Sequence, residues 1–326
     1  MSNIEHPIYL WHNHEMVRWE EATAHLTDNW WASVGAVFEG IRGYWNEADG
    51  EAYIFRLDAH LNRLADSMRL VHMDESFPPE ELAEATCELV RSNAVAGDVY
   101  IMPLAYSTGG RSFGSAGERV TNVFITSRPT TSTLAQEHSL KAGFSSWTRI
   151  GERSIPPRVK AIANYRNSQL ASYEAMTNGY DSALLLNAEG KVAEGPGSCV
   201  FFVRNGRLFT PNLTSGILES ITRDSVIRIA RELLGIEVVE RVVDRTEAYL
   251  ADEAFFCGTA AEVTPISSID HYPLKHGAPG PITQRMRELY QGIVRGTDGR
   301  YPEWRTPVGL AGNTLSATGT ASRVPW

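Results

Sequence analysis

Lys160 is the residue of this 326-residue chain whose type and surroundings most directly suggest covalent chemistry. The chain has twenty-six arginines but four lysines, and Lys160 lies in an apolar segment, residues 158–165, that predicts a short strand. A desolvated lysine amine can lose its proton, attack a carbonyl and form a Schiff base, whereas a guanidinium stays charged at any working pH. Lys160 is therefore a candidate nucleophile, with a solvent-facing strand lysine as the alternative.

Three other segments contain groups that could bind a ligand. Glu194 lies in a glycine-rich turn, 192–198, where backbone can approach a ligand closely, so its carboxylate could face a heteroaromatic ring or lie on the surface. Residues 220–222 predict a helix start, whose free amides and hydroxyls suit a phosphate or only cap the helix. A second turn of small residues, 257–262, carries a hydroxyl and accessible amides. Each signal is weak alone.

Composition and charge argue against several classes of function. With 43% hydrophobic and 21% charged residues, the chain can bury a large core, and its length suggests two domains. A formal net charge of −9 without a basic run argues against nucleic acid as a partner. Cys87, Cys199 and Cys257 have no CxxC spacing, so neither a disulfide framework nor a metal site is indicated. No signal peptide or long apolar run appears, so we expect a cytoplasmic protein with no membrane partner.

The elements that must position these groups fall into two parts. In the first part, a hairpin around Asn13-His14, further strands and two helices predict a small α/β domain over residues 1–128. A polar segment, 129–139, predicts the interdomain linker. Residues 140–326 predict a larger domain that is mostly sheet, with a hairpin turn at Asn205-Gly206, a helix over 220–234 and an irregular extension over 306–326.

The set of motifs resembles the branched-chain aminotransferase branch of the fold-type IV pyridoxal-phosphate-dependent enzymes. The resemblance covers nearly the whole chain and rests on the order and spacing of residues 37–42, 60–64, 159–160, 164–165, 193–195, 221–224, 249–253 and 258–265. It implies an α/β (α+β) fold with a small N-terminal domain and a larger C-terminal pseudo-barrel domain that binds the cofactor. It also implies a homodimer or higher homo-oligomer.

The resemblance also implies roles for individual residues. Lys160 would form the Schiff base with pyridoxal 5'-phosphate and move the proton between substrate and cofactor. Tyr165 would bind the phenolic oxygen, and Glu194 would pair with the pyridine nitrogen, since a protonated ring is a better electron sink. The remaining cofactor residues would be Leu218, packed against the ring, and a phosphate-binding set of Arg63, Ser220, Ile221, Thr222 and Thr259.

Two of the implied substrate-binding residues depart from the family pattern. Ser33 stands where the family has a tyrosine, and Met102 stands where it has an arginine that supports carboxylate recognition. Losing a buried charged donor typically costs a few kcal/mol of binding. Arg111, in a glycine-rich loop, could compensate or could be a solvated loop residue. The full implied set is Phe38, Ser33, Tyr100, Met102, Arg111, Gly258, Thr259 and Ala260.

The expected function is a ping-pong transfer of an amino group between a branched-chain or other hydrophobic amino acid and a 2-oxo acid. The expected partners are therefore a small-molecule amino donor and a keto acceptor. Ser33 and Met102 leave open a fold-type IV transaminase for D-amino acids or primary (R)-amines, or a related lyase that uses the same cofactor. A cofactor-binding protein without turnover is a third possibility, against which the presence of Lys160, Tyr165 and Glu194 argues.

Overall fold

Two β-sheets with flanking helices form the part of the chain that the computed structural model describes, residues 6–24, 32–74, 76–108 and 120–310. The elements before residue 130 are β1 (Tyr9–His12), β2 (Glu15–Arg18), α1 (Ala32–Gly35), β3 (Val37–Phe38), β4 (Ile41–Asn46), β5 (Glu51–Phe55), α2 (Leu57–Leu70), α3 (Pro79–Asn93), β6 (Val99–Thr108) and β7 (Val120–Pro129).

The elements after residue 139 form the second sheet, its helices and a final strand. They are β8 (Leu140–Thr148), α4 (Asn164–Thr177), β9 (Ser182–Leu186), β10 (Cys199–Arg204), β11 (Arg207–Pro211), α5 (Ile221–Glu232), β12 (Val238–Arg241), α6 (Arg245–Tyr249), β13 (Glu253–Gly258), β14 (Glu262–Ile269), β15 (Tyr272–Pro273), α7 (Pro281–Arg295) and β16 (Arg305–Pro307). Short 3-10 turns lie at Leu213–Ser215 and Pro302–Trp304.

The strand orders separate the two sheets cleanly. The first sheet is antiparallel, in the order β16-β5-β4-β6-β7-β1-β2, with β3 paired to β6. The second is mixed, in the order β12-β11-β10-β13-β14-β8-β9, with β15 paired to β14. The chain passes from one sheet to the other between β7 and β8, where the sequence predicts the linker. The mixed α/β fold is as predicted, and the domain bounds stay a prediction.

Local sequence explains the turns and helix starts that hold this framework. Asn13 and His14 (φ 46° and 73°) form the turn of the β1–β2 hairpin, and Asn205 and Gly206 (φ 51° and 73°) form that of β10–β11. Positive φ at both positions matches the twist of the flanking strands, and asparagine and glycine tolerate it well. Pro79 occupies the first turn of α3, where its missing N–H has no intrahelical partner to lose.

Apolar faces of α2 and α3 pack on the first sheet and form its core. Leu61 and Leu64 of α2 are fully buried in one cluster with Ile41 and Ile54 of the sheet. The second sheet has two clusters: one under α5 and α7, which also includes Tyr44 and Phe55 of the first sheet, and one on the opposite side. Within the described ranges, no helix is long and apolar enough to cross a membrane.

The predicted strand around Lys160 is wrong. Ala161 makes an isolated bridge to Val37, and the chain then turns into α4. The amides of Val159 and Ala161 donate to the nearby carbonyls of Pro156 and Val159, and the bonds of this segment to residues 36–38 form a single bridge, so no ladder continues. Lys160 therefore lies in a tight turn between the two sheets.

The prediction of an irregular extension from residue 306 is wrong at its start. Thr306 and Pro307 belong to β16, which pairs with β5 and so joins the first sheet. The edge of β5 offers unpaired backbone groups, and β16 satisfies them. Residues 311–326 of the predicted extension lie outside the described residues.

Candidate active site

A cavity of about 190 Å³ lies where the two sheets meet. Its wall is formed by helices and turns of both parts of the chain. These are part of α2, the turn that carries Lys160, the first residues of α4 and α5, and the turns at 194–199 and 257–260. The cavity brings together thirteen of the predicted site residues: Phe38, Arg63, Tyr100, Lys160, Tyr165, Glu194, Leu218, Ser220, Ile221, Thr222, Gly258, Thr259 and Ala260.

The Lys160 amine is held at the centre of this wall. Its Nζ lies 2.7 Å from the hydroxyl of Tyr165 and 4.9 Å from the ring centroid of Phe38. The backbone is fixed as well, because the Phe38 amide donates to the Lys160 carbonyl at 3.0 Å and the Asn164 side-chain amide donates to the Val159 carbonyl at 2.6 Å. A single amine therefore faces the cavity beside one phenol.

Glu194 is a buried carboxylate held by one arginine. Arg149 Nη2 lies 2.6 Å from its Oε1, and the Leu218 amide donates to Oε2 at 3.3 Å. Burial raises the pKa of Glu194, and the charge of Arg149 opposes that rise. The Cys199 thiol, whose pKa burial raises well above its usual value, lies 3.6 Å from Oε2 as a neutral neighbour. The carboxylate is thus oriented and has an increased affinity for a proton.

Arg63 is held at the opposite part of the cavity by Glu39. Its Nε and Nη2 donate to the two oxygens of Glu39 at 2.7 and 2.8 Å, and Nη1 donates to the Glu219 carbonyl at 2.6 Å. Burial alone would raise the pKa of Glu39, but the charge of Arg63 and a 2.8 Å hydrogen bond from His60 hold it well below its usual value. Burial lowers the pKa of His60, so a neutral imidazole donates through Nδ1.

The N-terminus of α5 lies next to Arg63. Ser220 caps the helix, because its hydroxyl accepts from the Arg223 amide at 3.2 Å. Ile221 and Thr222, both buried, follow in the first turn and line the cavity. The first amides of a helix have no intrahelical acceptors and carry partial positive charge. Together with Arg63 they form a site suited to an anion.

The turn between β13 and β14 closes the cavity opposite α5, and a residue of the first sheet holds it. Arg42 of β4 donates to the carbonyls of Thr259 and Ala260 at 3.0 and 3.4 Å, and to that of Thr131 at 3.1 Å. Position 258 favours glycine for a steric reason, since a Cβ there would lie 3.3 Å from the carbonyl oxygen of Gly197 on the neighbouring turn. The position of this turn therefore depends on both sheets.

Three predicted substrate residues remain, of which Met102 is not part of the described cavity wall. Met102 is half-buried on β6, two residues from Tyr100. The backbone of Ser33 lies in α1, and Arg111 lies outside the described residues. The roles of all the predicted site residues stay predictions.

Sequence reasoning missed Arg149, Glu39 and His60. Glu39 was part of a motif without a role, and Arg149 lies at the end of β8 in no recognisable motif. His60 could have been found, because its spacing of three from Arg63 places both on one face of α2.

The chemistry of the donor set fits a phosphorylated aromatic aldehyde. An amine for a carbonyl, a buried carboxylate held by an arginine for a ring nitrogen, a phenol for a ring oxygen and an anion site all line one cavity. Pyridoxal phosphate carries each of the matching groups.

Comparison with known proteins gives the same answer. The family model described as "Amino-transferase class IV" matches residues 36–269. The chain is 41% identical to a probable branched-chain-amino-acid aminotransferase of Aquifex aeolicus over 289 residues, 89% of this chain and 93% of that protein.

Two solved structures are also similar to the chain. A branched-chain amino acid aminotransferase from Thermobaculum terrenum in its PLP form is 65% identical, with a TM-score of 0.92 over 94% of this chain and 99% of that one. A branched-chain aminotransferase from Thermoproteus uzoniensis with norvaline is 41% identical, with a TM-score of 0.85 over 93% and 99% of the two chains. The resemblance found in the sequence is thus confirmed, and the chain belongs to the class IV aminotransferases, enzymes that use pyridoxal phosphate.

Proposed function

We propose that this aminotransferase uses Lys160 as its catalytic amine and transfers the amino group of a branched-chain or other hydrophobic amino acid to a 2-oxo acid. The observation that carries the proposal is the 2.7 Å contact of the Lys160 amine with Tyr165, in a cavity that also holds Glu194 and the anion site of α5 and Arg63.

Lys160 has two tasks in this proposal. It would hold the cofactor covalently, and its free amine would take the proton from the substrate α-carbon. Tyr165 supports both tasks, because its hydroxyl keeps Nζ in place through their hydrogen bond. Bound pyridoxal phosphate supplies the aldehyde for the substrate amine and a ring that takes up the electrons left at the α-carbon.

Glu194 and Arg149 would act on the ring nitrogen of the cofactor. An ionised carboxylate can keep a proton on a facing ring nitrogen. Burial raises the pKa of Glu194, and the charge of Arg149 opposes that rise and fixes the orientation of the carboxylate. Leu218 contributes through its backbone, since its amide donates to Glu194. This pair therefore sets the charge of the ring without touching the substrate.

Arg63 and the first turn of α5 hold the phosphate. Arg63 keeps its orientation through two bonds to Glu39, and Ser220, Ile221 and Thr222 present amides and hydroxyls. Thr259 contributes from the opposite turn. These groups would anchor the phosphate at the end of the cavity that Arg63 and α5 form.

A hydrophobic substrate is supported by the cavity wall. Phe38 and Tyr100 present aromatic surface near the Lys160 amine, and both similar structures are named as branched-chain enzymes. A second candidate is a transaminase of D-amino acids or primary (R)-amines. Met102, an uncharged residue two positions from Tyr100, favours it, because no cation at this point of β6 requires a carboxylate.

Spectroscopy of the purified, cofactor-loaded enzyme tests the reaction and its substrate class together. L-leucine, L-valine, D-alanine and (R)-α-methylbenzylamine are added in turn, and loss of the cofactor's visible absorbance is followed. Loss with the L-amino acids supports the first candidate. Loss with D-alanine or the amine alone supports the second, and no loss with any donor contradicts both.

Borohydride reduction followed by peptide mass mapping tests Lys160 directly. Reduction should fix the cofactor on the peptide that contains Lys160, and Lys160→Ala should abolish both this mark and transfer. Lys141→Ala is the matched control, because Lys141 is exposed and remote from the cavity wall. A mark on another lysine would contradict the assignment.

We also propose a homodimer. Tyr173 and Met176 project from the outer face of α4 one turn apart, and Trp147 lies close by because Glu174 binds the neighbouring Ser146 amide. Exposed apolar surface of this kind is common where copies associate. Analytical ultracentrifugation at micromolar concentration should show a dimer, and a monomer there would contradict the proposal. The cytoplasmic location stays a prediction.

A further inference from the structure

Three side chains form a row across the first sheet at the edge of the cavity. Tyr100 on β6 is directly opposite Arg42 on β4 and directly opposite Arg128 on β7. Directly paired residues of neighbouring strands project from the same face of a sheet. Arg42, Tyr100 and Arg128 therefore share one face, and Tyr100 is the member that lines the cavity.

Arg128 lies beside Tyr100, outside the wall of that cavity. Its Cζ is 5.1 Å from the ring centroid of Tyr100, and its side chain is exposed. Three residues further on, the Thr131 carbonyl accepts from Arg42, which also holds the carbonyls of Thr259 and Ala260. The segment after Arg128 is thus tied to the turn that forms the opposite wall.

The cations of the cavity wall itself are already engaged. Arg63 is bound by both oxygens of Glu39, Arg149 is bound to Glu194, and Lys160 is the reacting amine. Arg128 makes no ion pair within 4 Å with any carboxylate of residues 6–24, 32–74, 76–108 and 120–310. It is therefore an exposed cation beside a residue of the cavity wall, and no carboxylate of these ranges neutralises it.

We infer that Arg128 binds a carboxylate of the substrate. The inference rests on the proposed function, since amino acids and 2-oxo acids carry at least one carboxylate. A guanidinium presents parallel N–H groups that match the two oxygens of a carboxylate, and stacking on Tyr100 restricts its plane. The carboxylate is the α-carboxylate or, in a dicarboxylic substrate, the distal one.

The test compares Arg128→Gln and Arg128→Lys with the wild type, all loaded with pyridoxal phosphate. KM and kcat are measured for L-leucine with 2-oxoglutarate and for L-glutamate with 4-methyl-2-oxopentanoate. We expect Arg128→Gln to raise KM for carboxylate substrates by about tenfold with little change in kcat, because one charge-assisted contact is lost. The KM of Arg128→Lys should lie between those of the wild type and Arg128→Gln, since lysine keeps the charge and loses the planar fork.

A matched control separates this effect from a general loss of surface charge. Arg285→Gln removes an exposed arginine of α7 that is remote from the cavity wall, and its KM values should equal those of the wild type. Cofactor content and melting temperature of each variant are recorded, and both should remain unchanged in Arg128→Gln because the residue is exposed.

The substrates distinguish the two possible carboxylates. A raised KM for L-glutamate and 2-oxoglutarate alone assigns Arg128 to the distal carboxylate, and an equal rise for all four substrates assigns it to the α-carboxylate. Unchanged KM values in Arg128→Gln, or the same rise in Arg285→Gln, overturn the inference. A wild-type enzyme that transfers no amino group from any donor overturns the proposed function instead.

Discussion

At the residue scale, Arg149 determines the state of Glu194. In Arg149→Gln the buried carboxylate has no neutralising partner, so its pKa rises further and it holds a facing ring nitrogen less well. We expect kcat to fall at least tenfold and the free energy of unfolding of the cofactor-free protein to fall by about 3 kcal/mol at neutral pH. Steady-state kinetics and urea unfolding measure the two effects.

The pH dependence of that loss gives a further check. An acid whose folded pKa is raised contributes stability below its unfolded pKa and loses it as pH rises through the folded pKa. The destabilisation of Arg149→Gln should therefore be larger at pH 8 than at pH 5. Arg153→Gln, an exposed arginine four residues away, serves as control. Equal turnover in both variants would contradict the role of Arg149.

Glu39 should make the free energy of unfolding decrease at acidic pH. Its folded pKa is depressed by Arg63 and His60, so the stabilisation is present above about 4.5, the usual glutamate value, and is lost as pH falls through the folded pKa. Glu39→Gln should cost about 3 kcal/mol at pH 7, and its difference from the wild type should shrink below pH 4.5. Urea unfolding of the cofactor-free protein between pH 7 and 3.5 measures this.

Glu88→Gln is the control for Glu39. Glu88 also has a lowered pKa and an arginine partner, but the pair is exposed, so its loss should cost at most about 0.5 kcal/mol. If the free energies of unfolding of Glu39→Gln and the wild type differed by the same amount at every pH, the shape of the Glu39 side chain, and not its charge, would explain the loss of stability.

At the element scale, the start of α5 combines capping with ligand binding. Ser220→Ala removes the acceptor for the Arg223 amide and should cost about 1 kcal/mol of stability. It should also weaken binding of pyridoxal phosphate, because the same turn forms the proposed phosphate site. Thermal unfolding of the cofactor-free protein and cofactor titration measure the two effects separately.

Asp244→Ala provides the comparison for Ser220→Ala. Asp244 caps α6 through a capping box and is not part of the cavity wall. Asp244→Ala should lower the free energy of unfolding by about as much as Ser220→Ala and should leave the affinity for pyridoxal phosphate unchanged. If both variants lost affinity equally, capping alone would account for the effect of Ser220.

At the scale of the whole molecule, Arg42 couples the first sheet to the turn that closes the cavity. Arg42→Lys loses the fork that reaches the carbonyls of Thr259, Ala260 and Thr131, so the turn should shift. We expect a loss of about 2 kcal/mol of stability and a decrease in kcat/KM of at least tenfold. Calorimetry and steady-state kinetics measure both.

Arg295→Lys is the matched control at this scale. Arg295 of α7 also reaches the first sheet, through Asp98 and the Trp45 carbonyl, but away from the cavity wall. It should lose stability and keep kcat/KM. A similar decrease in kcat/KM for both variants would mean that general loosening between the sheets, and not the turn, limits turnover.

The sequence by itself determined the class of fold, the hairpins at Asn13-His14 and Asn205-Gly206, the capped start of α5 and the choice of Lys160 among four lysines. These depend on local properties, such as positive φ, a capping hydroxyl or an amine in apolar surroundings, which act within a few residues. The predicted family and cofactor are confirmed as well, because the order and spacing of the motifs are properties of the sequence alone.

Only the tertiary structure decided which charges meet. Arg149 and Glu194 are forty-five positions apart, and Arg42 is more than two hundred positions from the turn that it holds. Lys160 lies in a turn and not in the predicted strand, since the amides of Val159 and Ala161 bond to carbonyls within the turn and not to a neighbouring strand. The pKa of a buried group depends on burial and on the nearest opposite charge, and both are set by how two sheets pack. No local pattern in the sequence records that distance.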